Sequence, residues 1–146
     1  MINLSKLSEN LNELMHEHGL TQSELAKKMN TCSSKMSSYA TGKRAPNYAT
    51  FLALTEFFHC SADYLLGLRE YPCEDLRYKP VRPFSVCLRA ALQENGMTQY
   101  AFITRSGISC GVFYNWLSGN ALPSAENLAR VARCCGCSVD ELLGRF

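Results

Sequence analysis

Slid against itself by 77 residues, the sequence comes into register without a gap. Gly19, Thr21 and Gln22 fall on Gly96, Thr98 and Gln99, and Gly42 and Pro46 fall on Gly119 and Pro123. Cys60, Ser61, Asp63, Leu65, Leu66 and Gly67 fall on Cys137, Ser138, Asp140, Leu142, Leu143 and Gly144. Scattered leucines would match by chance, but glycine, proline and capping residues mark fixed backbone positions. A chain of 146 residues built this way holds two small domains, each with a barely sufficient core. The repeat places the first domain at residues 1–68, a linker at 69–82 and the second domain at 83–146. The linker contains Pro72 and Pro80 with charges of both signs, a partly stiffened spacer. Pro83 suits the first turn of the helix that follows, where its missing N–H costs nothing.

Within each repeat the apolar residues recur at helical spacing. Leu4, Leu7, Leu11, Leu14 and Met15 form one face, matched by Phe84, Leu88, Ala91 and Leu92. Gly19 and Gly96 are stop signals, and Thr21 and Thr98 are N-caps of a short second helix. Asn30 and Gly107 occupy a tight turn that needs a left-handed residue. A third helix spans about residues 33–41, with Met36 and Tyr39 inward and Phe113 and Trp116 as equivalents. Gly42 and Gly119 end it. Asn47 and Ser124 cap a fourth helix; Ser61 and Ser138 cap a fifth. No run alternates with period two for long enough to be a strand. The expected class is all-α, with five helices per domain.

Net charge is only +2, so the overall balance does not announce a nucleic-acid partner and the placement of charge must decide. The first residues interleave Lys6, Glu9, Glu13 and Glu17 with leucines, which excludes an apolar signal core; a cytoplasmic home is expected. No stretch is long and apolar enough for a membrane span. Eight cysteines raise the question of disulfides or a metal. Reduced thiols are expected in the cytoplasm. Cys134, Cys135 and Cys137 lack the second Cys pair or nearby His of a zinc site. No metal or cofactor is therefore expected, and Cys60, Cys135 and Cys137 are expected as small buried apolar residues. An enzyme is not expected either: His16, His18 and His59 fall at exposed helix positions, with no nucleophile or phosphate loop matched to them.

The stretch from Gly19 to Met29, GLTQSELAKKM, resembles the second helix of the Cro/C1-type (XRE-type) helix-turn-helix domains. Gly42–Pro46 resembles the loop after their recognition helix, and Ser61–Gly67 their closing helix. The resemblance covers both repeats and implies two tandem five-helix, lambda-repressor-like domains joined by a short linker. It also implies a transcriptional regulator that binds duplex DNA, with the third helix of each unit in the major groove. In the first domain it places Gln22 and Lys35, Lys43 and Arg44 at phosphates, and Ser33, Ser34 and Ser38 at base edges. Cys32 departs from the family, where a Ser or Thr caps the third helix.

The second domain departs further. Ile103 replaces the small Ala26 at the helix crossing, and Asn120 and Ala121 replace Lys43 and Arg44. Gln99 and Asn115 remain as DNA contacts, while Val112 and Tyr114 suggest a face for protein. The first domain is thus expected to be the main DNA reader. The alternative is a protein-interaction module that kept the fold without binding DNA. Two geometries would present two recognition helices about 34 Å apart. One is a homodimer through the second domains, which the apolar Val112 and Tyr114 favour. The other is a pseudo-dimer within one chain, which the linker allows, since about 14 extended residues reach roughly 46 Å.

Overall fold

The computed structural model describes residues 4–70 and 81–144. The chain divides into two compact units, Met1–Leu76 and Arg77–Phe146. Of the expected linker, residues 71–80, with Pro72, Cys73 and Pro80, lie outside the described residues. The first unit contains α1 (Leu4–Glu17), α2 (Gln22–Lys28), α3 (Ser33–Ala40), α4 (Tyr48–Phe58) and α5 (Ala62–Leu65). The second contains α6 (Phe84–Glu94), α7 (Gln99–Ser106), α8 (Cys110–Ser118), α9 (Ala125–Cys134) and α10 (Val139–Leu143). No strand occurs among the described residues, and no helix among them is long and apolar enough to cross a membrane.

The repeat in the sequence is a repeat in the backbone. Gln22 and Gln99, Ser33 and Cys110, Tyr48 and Ala125, and Ala62 and Val139 open corresponding helices at the same offset. The left-handed residues obey it too: Gly19, Asn30, Gly42, His59 and Gly67 pair with Gly96, Gly107, Gly119, Gly136 and Gly144. His59 therefore does not sit on a helix face, as its sequence position suggested. It is the left-handed C-cap of α4, at φ 50°. Gly67 is the tightest of these sites. A Cβ there would lie 2.6 Å from Lys6 Cβ, so α1 and the end of α5 approach closely. The caps follow the same register. Thr21 and Thr98 accept from the backbone N–H three residues on, as do Asn47 and Ser124, and Ser61 and Ser138. Each satisfies an N–H that the first helical turn leaves without a partner.

In each unit the first helix packs against the third and against the fifth. In the first, Leu7, Leu11, Leu14 and Met15 of α1 meet Leu25 and Ala26 of α2, Met36 and Tyr39 of α3, and Phe51, Leu54 and Phe58 of α4 in one buried core. In the second the bulk is distributed differently. Leu25 and Met36 become Phe102 and Phe113, whose rings lie 5.2 Å apart; Leu7 and Tyr39 become Phe84 and Trp116, edge to face at 5.8 Å. Elsewhere in the same core Leu14 becomes Ala91 and Phe58 becomes Cys135, so volume added at some positions is accompanied by volume lost at others. Ile103 is half-exposed where Ala26 is buried, so the larger side chain stands outside the crossing. A polar tie recurs as well. Asn12 Nδ2 donates to Ala40 O at 2.9 Å, and Arg89 Nη2 donates to Leu117 O at 3.3 Å, each serving a free carbonyl at the end of the third helix.

Cys60 and Cys135 are buried, as expected for small apolar residues, but Cys137 is only half-buried. It follows left-handed Gly136, where the chain turns out of α9 toward α10. Burial pushes the Cys135 thiol up to about 11, with the neighbouring Cys137 and Cys134 adding to it, so it stays protonated and unreactive. Among the described residues no group of three His, Cys, Asp or Glu side chains is placed to hold a metal ion.

Candidate nucleic-acid interface

In the first unit, α2 and α3 are joined by a short turn. Thr21 fixes the start of α2: its hydroxyl accepts from Glu24 N at 3.2 Å and donates to the Glu24 carboxylate at 3.1 Å. This holds Gln22, half-buried, at the first position of the helix. The chain leaves α2 at Met29, turns through Asn30 at φ 56°, and closes with Thr31 N donating to Ala26 O at 2.9 Å. Cys32 then caps α3, and Ser33, Ser34 and Lys35 emerge exposed at its start.

Successive residues of a helix are about 100° apart around its axis. With Met36, Tyr39 and Ala40 buried, the outward stripe of α3 is Ser34, Ser38 and Thr41, flanked by Lys35 on one side and Ser37 on the other. Ser33 is exposed but lies about 100° round from Ser34, off this stripe. Ser38 is half-buried, and its hydroxyl donates to Ser34 O at 3.0 Å, leaving oxygen lone pairs to face outward. The Ser38 carbonyl has a separate task. It accepts from Lys43 N at 3.0 Å and Arg44 N at 3.3 Å, which pins the loop beside the end of α3 with both cationic side chains exposed.

The second unit reproduces this scaffold with different side chains. The Asn115 carbonyl accepts from Asn120 N at 3.0 Å and Ala121 N at 3.2 Å, at the same offset. The loop backbone is therefore held as in the first unit, but it carries no charge. Gln99 opens α7 and is exposed. Around α8, Phe113, Trp116 and Leu117 point inward, so the outward stripe is Gly111, Asn115 and Ser118. Val112 and Tyr114, 39% and 51% exposed, lie about 160° apart on opposite flanks of that stripe. They do not form one apolar face.

Cys32 caps α3 without a side-chain hydrogen bond to the helix, whereas the Ser109 hydroxyl accepts from Val112 N at 3.3 Å at the start of α8. The Cys32 sulfur lies 3.2 Å from Ser34 Oγ, and this contact pulls the thiol below its ordinary value. Cys32→Ser supplies the missing acceptor. It is expected to raise the melting temperature of the first unit by up to about 5 °C, measured by circular dichroism, and an unchanged or lower value counts against the cap argument.

A helix-turn-helix family model matches residues 88–142, from inside α6 to inside α10. The chain is also similar to the HTH-type transcriptional regulator ImmR of Bacillus subtilis (strain 168), with 38% identity over 64 residues. That alignment covers 44% of this chain and 50% of the relative, so the chain spans about half the length of the curated protein it matches. No solved structure matches the chain significantly.

In the matched region and its counterpart in the first unit, the structure gathers the expected residues unevenly. Ser34, Lys35, Ser38, Lys43 and Arg44 collect around α3, with Gln22 at the head of α2 and Ser33 to one side. Gln99 and Asn115 hold the matching positions in the second unit. Thr41 and Ser118 complete the two outward stripes and went unnoticed in the sequence, whereas Gly111 was already on the expected face of the third helix. Their signal was present: each continues the three- or four-residue spacing set by Ser34, Ser38 or Asn115.

Proposed function

We propose that this chain is a cytoplasmic, sequence-specific transcriptional regulator that binds duplex DNA, with the first unit supplying most of the affinity. The observation carrying this reading is the pinned loop after α3. There the Ser38 carbonyl holds Lys43 and Arg44 beside an exposed polar helix face. Cations at the rim of such a helix meet phosphates on either side of the groove it enters, and phosphate contacts supply most non-specific affinity. Gln22, at the head of α2, donates to phosphate, Ser34 and Ser38 meet base edges, and Lys35 the adjoining backbone, with Ser33 off the outward stripe. The helix-turn-helix match in the second unit and the regulator similar to this chain support the same class. Both units then serve one duplex from a single chain. The homodimer reading drew on Val112 and Tyr114 as a shared face, and their separation around α8 removes that reason for it.

The test is selection of bound duplexes from a random pool by the full chain at one fixed salt concentration. A recurring motif is expected. Absence of any duplex binding at about 50 mM salt overturns the reading and leaves a protein-interaction module of the same fold.

A further inference from the structure

We propose that the second unit reads an adenine·thymine step in the major groove through Asn115, with Val112 against the thymine methyl group and Gly111 admitting the helix to close range. The inference rests on the DNA-binding reading above and names what the second unit contributes to it.

Three observations carry it. Asn115 lies mid-stripe on α8, exposed, and only its backbone carbonyl, not its side chain, is engaged by Asn120 N, Ala121 N and Ser118 Oγ. Its side-chain amide is thus free to act outward. An amide pairs bidentately with adenine, its oxygen accepting from N6–H and its NH2 donating to N7. Gly111, one turn before it on the same stripe, has no packing reason to be glycine. An added Cβ would meet nothing within 4 Å, and its φ is not positive. A glycine inside a helix is destabilising relative to alanine, and one use for it is close approach of the backbone to a ligand. Here it shortens the reach from Asn115 to the floor of the groove.

The third observation is what the face lacks. Residues 110–122 hold no charged side chain. There is no Arg or Lys to pair with guanine N7 and O6, and no carboxylate to accept from cytosine N4. On the outward stripe and its Val112 flank the chemistry left is an amide for adenine, an isopropyl group for the thymine methyl, and the hydroxyl of Ser118; the Tyr114 ring lies on the other flank. A face without cations binds weakly alone. The linker joins it to the first unit, so its binding becomes intramolecular once Lys43 and Arg44 hold the duplex, and it adds discrimination with little added affinity.

The test uses the full chain and the duplex found by selection, with every base pair replaced in turn at fixed salt. The wild-type chain is expected to lose about tenfold or more in affinity when one particular A·T pair is replaced. In Asn115→Ala that loss shrinks to about twofold or less, while the slope of affinity on salt stays as in the wild type, because no phosphate contact is removed. Asn115→Asp shifts the preference at that position from adenine toward cytosine. Melting curves of both variants confirm folding, which an exposed position should not disturb. A motif without an A·T pair of this weight, or an Asn115→Ala profile identical to the wild type, overturns the proposal while leaving DNA binding by the first unit intact. In the latter case, two chains per duplex by light scattering assigns the face to chain pairing. A wild-type chain that binds no duplex overturns both readings.

Discussion

Replacing Lys43 and Arg44 together with alanine lowers affinity for every duplex sequence by a similar factor and flattens the salt dependence. Each phosphate contact releases condensed counterions, and the slope of log affinity on log salt carries about 0.9 per contact. Two lost contacts therefore flatten the slope by about 2. Base preferences measured at fixed salt should persist, because these side chains sit on the loop and not on the outward stripe of α3. The second unit offers the reciprocal experiment. Its loop is held by the Asn115 carbonyl as the first loop is held by Ser38, and only the side chains differ. Asn120→Lys with Ala121→Arg should thus raise affinity and steepen the slope by a similar amount. Fluorescence anisotropy titrations at several salt concentrations measure both. An unchanged slope in the alanine variant removes the first unit from the phosphate backbone and leaves the proposed division of labour without support.

What was legible in the sequence was whatever a backbone position dictates locally. The caps at Thr21, Thr98, Asn47, Ser124, Ser61 and Ser138 and the turns at Asn30 and Gly107 could be read because few residue types satisfy a bare N–H or a positive φ. His59 escaped because histidine is an uncommon left-handed residue. Its repeat partner, Gly136, carried the signal that the residue itself did not. The face of the third helix was harder. Val112 and Tyr114 are two residues apart, which on a helix sets them about 160° apart, so the single face first read for them does not exist. Core volume was harder still. Four positions grow from Leu7, Leu25, Met36 and Tyr39 to Phe84, Phe102, Phe113 and Trp116, while Leu14 and Phe58 shrink to Ala91 and Cys135. Those positions are far apart in sequence and meet only in the packed unit, so no local pattern announces the exchange.

Trp116→Ala is expected to unfold the second unit and leave the first folded. Trp116 is 2% exposed and meets Phe84 edge to face at 5.8 Å, joining α8 to α6. Truncating a buried aromatic of this size removes about 3–5 kcal/mol. A unit of this size has little stability beyond that, because small domains bury a modest fraction of their surface. The Phe84 ring packed against Trp116 is itself buried at 2% exposure, so the cavity left behind is closed off from solvent and is relieved only by partial collapse of the core. Melting should then show one transition for the first unit, with the second unit's backbone amides losing protection in hydrogen exchange at room temperature. DNA binding separates the two roles. The variant should keep the salt slope set by Lys43 and Arg44 while losing discrimination at the A·T pair assigned to Asn115. Tyr39→Ala, at the equivalent position, should do the reverse and abolish most of the affinity. If Trp116→Ala instead melts both units in a single step, the units fold as one cooperative body, and the contributions of the two recognition helices cannot be separated by unfolding one of them.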